Sequence, residues 1–202
     1  MSSVLLNSKV PTEVIPARAQ SWLAIRWLAF VAIAGSGAVS DLLTKHFIFQ
    51  WRGLPGVTPP WWLVEPYVGI QTAVNPGALF GFGAGWGSFF ATLSVIAGVG
   101  IFVWLWRFGA INSWWLIVSL GCVLAGIVGN LYDRLGMWYL PEYPAEWRNG
   151  VRDWILFQYP PYVWPNFNIA DCLLVCGAIM LTIHSFKTPA PESANSRSAS
   201  HP

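Results

Sequence analysis

Four apolar runs, each about as long as a bilayer-crossing helix, constrain this chain more than any other feature. They lie at about Ser21 to Lys45, Trp86 to Trp106, Ile111 to Tyr132 and Phe167 to Phe186. A bilayer core is about 30 Å thick, so a helix needs roughly 20 mostly apolar residues to cross it. The second and third runs carry no charge; the first holds Arg26 and Asp41, and the fourth holds Asp171 near its start. Only 10% of the residues are charged and 55% are hydrophobic, against about 25% charged in a typical soluble domain. Such a chain cannot clothe a water-soluble surface. The expected class is an all-α membrane protein with four transmembrane helices. The 14 tryptophans fit, because Trp favours the membrane–water interface. A net charge of +2 without any basic run speaks against a nucleic-acid partner.

Residues 21–186 read as one membrane domain. The tails, 1–20 and 187–202, are polar, and the last dozen residues have a disordered composition. The first run resembles a cleavable signal segment, with Ala34-Gly35-Ser36 as a possible cut, but it continues into Asp41 and Lys45 and is expected to be retained. The short link from Arg107 to Ala110 makes the second and third runs a hairpin. Two long Pro-rich loops, 46–85 and 134–165, remain, and long loops are often functional. Gln71 to Phe82 is expected to supply short strands, and Trp154 to Phe157 to lie along the interface, giving a small β-rich cradle. Four spans put both termini on one side. Lys and Arg split almost evenly between the sides, but seven acids, from Asp41 and Glu65 to Asp153 and Asp171, fall opposite the termini. Termini inside and loops outside is the expected orientation. Cys122, Cys172 and Cys176 have no metal-binding spacing and read as small packing residues.

The polar residues converge. Asp41 ends the first span, Asp133 and Arg134 end the third, and Asp171 begins the fourth. The alternation of spans brings all of them to one face, whichever way the chain is inserted. Asn75, Asn130, Asn168 and Asp153 join the same layer. Ionisable residues at membrane depth suggest function by default. The bland reading is that Arg26, Lys45 and Arg107 anchor helix ends at the headgroups and that Asp133 pairs with Arg134. Gly121, Ala125 and Gly129 form a stripe of small residues suited to close helix packing, and Gly126, one residue round, leaves room for a ligand. Position alone leaves an enzyme and a transporter both open.

Five motifs narrow this. Gly129-Asn130-Leu131-Tyr132-Asp133-Arg134 resembles the GNxxDR signature of lipoprotein signal peptidases (signal peptidase II), and Phe167-Asn168-Ile169-Ala170-Asp171 resembles their FNxAD. Val151-Arg152-Asp153-Trp154-Ile155 is similar to their VxDF segment, with Trp for Phe. Asn75 to Gly81 is similar to NxGAAFG, with Leu79 for an Ala, and Asp41 to Lys45 to DxxTK. The resemblance covers roughly residues 22–186, in the family's order. The stretch from Arg134 to Asp153 is longer than the family usually has, which implies an enlarged outer loop.

The resemblance implies that Asp153 and Asp171 form a catalytic dyad. It further implies that Asn75, Gly126, Asn130, Asp133, Arg134 and Asn168 line or brace the site, and that Asp41 and Lys45 hold the first helix. The implied substrate is a diacylglyceryl-modified prolipoprotein, cut immediately before the lipidated Cys in the bacterial inner membrane. Membrane lipid is the other implied partner, and the working unit is expected to be a monomer. The chemistry suits two carboxylates, because close like charges leave one proton shared between an acid and a base. No GxSxG or HExxH occurs, and neither a metal nor a cofactor is implied.

Overall fold

The computed structural model describes residues 17–77 and 86–187. Four helices dominate: α1 (Ala17–Arg52), α2 (Gly87–Arg107), α3 (Trp114–Arg134) and α4 (Ile169–Lys187). All four are long and apolar enough to cross a membrane. The tails 1–16 and 188–202 and the segment 78–85, which includes Ala78 to Gly81 of one motif, lie outside the described residues.

α1 is longer than the sequence suggests, because His46 to Trp51 contains no breaker. It ends at Gly53, whose φ of +78° only glycine adopts readily. α2 and α3 form the expected hairpin, closed by Gly109 at φ +68° and a short 3₁₀ turn over Ala110–Asn112. Ser113 caps α3, its hydroxyl accepting from Leu116 N.

α3 is the central helix, packed against α1, α2 and α4. Its small-residue stripe makes this possible. A Cβ on Gly121 would sit 2.9 Å from Ile33 Cγ2 of α1, and Gly37 of α1 lies against the Ala125 side chain. A Cβ on Gly126 would meet Ala170 O at 2.5 Å and Leu174 Cγ at 2.6 Å, so α4 comes as close on the neighbouring face. Phe30, Leu105, Ile117 and Leu120 fill the core between α1, α2 and α3. Large apolar side chains such as Leu28, Val99 and Ile179 remain exposed, as lipid-facing residues do.

The two long loops hold a four-stranded antiparallel sheet in sequence order: β1 (Trp61–Val64), β2 (Val68–Asn75), β3 (Val151–Tyr159) and β4 (Tyr162–Phe167). Trp154 to Phe157, expected to lie along the interface, falls inside β3, between β2 and β4. The sequence placed a strand near Gln71; β2 begins three residues earlier and ends at Asn75, as Pro76 requires. Arg26 is also not the headgroup anchor expected. It is buried between the Trp22 and Trp114 rings and donates to Ile111 O at 2.9 Å. Arg107 is exposed, as an anchor would be, and Cys176 faces outward rather than into the core.

Candidate active site

The sheet meets the helix ends at one polar layer. Asn168 stands just before α4 and acts as its cap. Its Oδ1 accepts from Asp171 N at 2.9 Å, while Asp171 Oδ2 accepts from Asn168 N at 3.2 Å. This reciprocal capping box uses Asp171 as the third helical residue. A further orphan donor of the first turn, Ala170 N, goes to Asp41 Oδ1 of α1 at 2.9 Å. The helix start is therefore fixed by the same side chains that fill the polar layer.

Asp153 enters from β3. Val151, Arg152 and Asp153 are all buried, because the strand begins where sheet and helices join. Alternation sends Arg152 and Asp153 to opposite faces. Arg152 turns to Asp133, donating through Nε at 3.1 Å, Nη2 at 2.7 Å and its main-chain N at 2.9 Å. Asp153 turns toward α4, where its Oδ1 accepts from Asn168 Nδ2 at 2.6 Å. Burial, and then the charge of Asp171, push the Asp153 carboxyl up from its ordinary 3.8 to about 8.

Asp133 does not pair with Arg134, as its neighbour in sequence suggested. Successive residues on a helix point about 100° apart. Arg134 instead donates to Gly77 O at 2.6 Å and stacks on the Phe90 ring, tying the end of β2 to α2. Its Nη1 is buried and has no hydrogen-bond partner among the described residues. Lys45 is likewise no surface anchor. It is fully buried, 2.7 Å from Asp41 and 3.3 Å from Asp133, and it donates to Asn130 Oδ1 at 2.9 Å. Asn130 Nδ2 in turn donates to Asp171 Oδ1 at 2.9 Å.

A cavity of about 490 Å³ opens beside these groups. Asn75, Asn130, Arg134, Asp153 and Asp171 form its polar end, and Gly126 is part of its wall. The remainder is mostly apolar, from Phe90 and Leu93 of α2 to Ile127 of α3 and Leu174 and Val175 of α4. Leu93 and Val175 are also exposed on the helix surfaces, so the cavity opens sideways where lipid would lie. Asp41, Asp133 and Lys45 lie behind this wall. Sequence reasoning missed Arg152 as the partner of Asp133; the signal was its place beside Asp153 in a motif. No cluster of His, Cys, Asp and Glu suited to a metal occurs among the described residues.

Comparison with known proteins agrees with this architecture. A family model described as signal peptidase (SPase) II matches residues 33–187. A lipoprotein signal peptidase of Rhodopirellula baltica is 54% identical over 162 residues, covering 80% of this chain and 73% of that protein. One from Pseudomonas putida is 35% identical over 135 residues, covering 64% of this chain and 72% of that protein. A solved bacterial membrane enzyme superposes with a TM-score of 0.66 at 23% identity, over 82% of this chain and 92% of that one, which shows a shared fold.

Proposed function

The chain belongs to the signal peptidase II family, and we propose that it is a membrane aspartyl endopeptidase acting on diacylglyceryl-modified prolipoproteins. In this reading it cuts immediately before the lipidated Cys. The observation that carries it is the placement of Asp153 and Asp171 at the polar end of a cavity whose other walls are mostly apolar and reach the exposed helix surface at Leu93 and Val175. A transport role, left open by the polar layer alone, loses ground to a peptidase role on family membership.

Asp153 and Asp171 hold one proton between them in this mechanism, and Asn168 braces both, its Nδ2 donating to Asp153 Oδ1 and its main-chain N to Asp171 Oδ2. The ionised carboxylate takes a proton from water as the water oxygen bonds to the scissile carbonyl carbon. The protonated carboxyl polarises that carbonyl and then gives its proton to the departing amide nitrogen as the C–N bond breaks. The dyad ends with one proton again, ready for the next turnover. Arg134 Nη1, which is buried and has no hydrogen-bond partner among the described residues, and the Asn75 side chain supply polar groups for the peptide backbone. The apolar walls take the signal segment, and the acyl chains remain in lipid.

This multi-pass protein sits, in the same reading, in the bacterial inner membrane as a monomer with cytoplasmic termini and its site near the outer face. The sheet forms the outer cradle of a single domain spanning residues 21–186. The reading is tested by incubating purified protein with a diacylglyceryl-modified prolipoprotein and with its unlipidated form, and weighing the products by mass spectrometry. A cut immediately before the lipidated Cys supports it. A cut elsewhere, or equal cutting of the unlipidated form, contradicts it.

A further inference from the structure

The first-helix lysine does more than hold that helix. An ammonium has three N–H donors and no acceptor. Lys45 faces three acceptors: Asp41 Oδ2 at 2.7 Å, Asn130 Oδ1 at 2.9 Å and Asp133 Oδ2 at 3.3 Å. The carboxamide of Asn130 has one accepting and one donating end. Lys45 takes the oxygen, which also accepts from Asn168 Nδ2 at 3.2 Å. The nitrogen is therefore turned to Asp171 Oδ1, at 2.9 Å.

The two dyad carboxyls then differ. Asp171 receives that ammonium-polarised amide on one oxygen and a main-chain N–H on the other, and it lies in the first turn of α4, where the helix dipole favours negative charge. Asp153 is more deeply buried, its hydrogen-bond partners are the neutral side-chain amides of Asn168 and Asn75, and the Lys45 charge offsets only part of the upward push of burial and of Asp171. We propose that Lys45 is a positioning residue for hydrolysis: by holding the Asn130 oxygen it fixes a donor on Asp171, making Asp171 the proton acceptor and Asp153 the proton donor. The proposal rests on the dyad reading above.

The charges around Lys45 shape the test. α1 brings Asp41, α3 brings Asp133 and Arg134, β3 brings Arg152 and Asp153, and α4 brings Asp171. Asp41 balances Lys45, and Arg152 is paired with Asp133. The double variant Asp41→Asn/Lys45→Met therefore keeps the buried net charge and the side-chain volume while removing the clamp on Asn130. Its kcat for a lipidated prolipoprotein should fall on the order of tenfold or more, with KM within about twofold. The acid limb of its kcat–pH profile should move up by about one pH unit or more. Asn130→Ala, which keeps Lys45 on Asp41 and Asp133, should move the limb the same way, and it decides the matter if the double variant does not fold. Profiles that differ from wild type only in height would overturn the proposal and leave Lys45 a structural role. Asp153→Asn and Asp171→Asn are assayed alongside. Cleavage by either sinks the dyad reading itself, whereas two inactive Asp variants with unmoved limbs sink only the role of Lys45.

Discussion

Replacing Asp153 with Asn should abolish cleavage and yet stabilise the protein at neutral pH. The Asp153 carboxyl is held at about 8 instead of 3.8 by burial and by Asp171. A group whose folded pKa is raised keeps its proton in the folded state where the unfolded chain has released it. The stabilising contribution of this group is therefore fully present below about pH 4, declines as pH rises toward about 8, and is lost above that. Asn has the shape of the neutral acid, accepts from Asn168 through Oδ1, and does not titrate. Four pH units at about 1.4 kcal/mol each set a ceiling on the order of 5 kcal/mol. For a chain of this size each kcal/mol moves Tm by about 2–4 °C, so the ceiling is on the order of 10 °C. The assay is thermal unfolding in detergent, followed by intrinsic Trp fluorescence between pH 5 and 8.5. The relevant quantity is the Tm of Asp153→Asn minus that of wild type, because it cancels the titrating groups that are not coupled to Asp153. It should grow with pH and flatten above about 8. A difference that is constant across the range would refute the burial argument.

Three other outcomes follow from the same contacts. Gly126→Ala places a Cβ against Ala170 O and Leu174 and forces α4 off α3; it should cost about 1–3 kcal/mol, read as a lower Tm, and reduce cleavage. Asp133→Asn leaves Arg152 and Lys45 facing a neutral group; the loss should be about 3–5 kcal/mol, measured by the same unfolding. Cleavage should decline above about pH 8 as Asp153 loses the proton it donates, which a kcat–pH series on wild type will show.

Much of this was legible because the physics is one-dimensional. Twenty-residue apolar runs must become helices in lipid, since every backbone polar group has to be satisfied internally. The parity of four spans then brings Asp41, Asp133 and Asp171 to one face without any knowledge of packing. What stayed hidden depends on side-chain direction. Asp133 and Arg134 are neighbours in sequence but point to different partners, Arg152 and Gly77. Arg26 and Lys45 read as anchors because nothing in a linear pattern shows that Trp114 or Asn130 lies within reach. The strands of the cradle were only partly visible: β3 and β4 carry aromatic and β-branched residues, but Pro160, Pro161 and Pro165 mask their alternation. The separate roles proposed for Asp153 and Asp171 depend on amide orientations that sequence does not carry.

In the proposed mechanism Asp153 and Asp171 together perform the cleavage. The most direct measurement is single-turnover cleavage of a diacylglyceryl-modified prolipoprotein by wild type, Asp153→Asn and Asp171→Asn, each shown folded by its unfolding transition. Wild type should cleave, and both variants should lose activity on the order of a thousandfold or more, as expected when an essential acid or base is removed. Retained cleavage by a folded Asp153→Asn variant would contradict this mechanism and move the catalytic role to another acid of the polar layer.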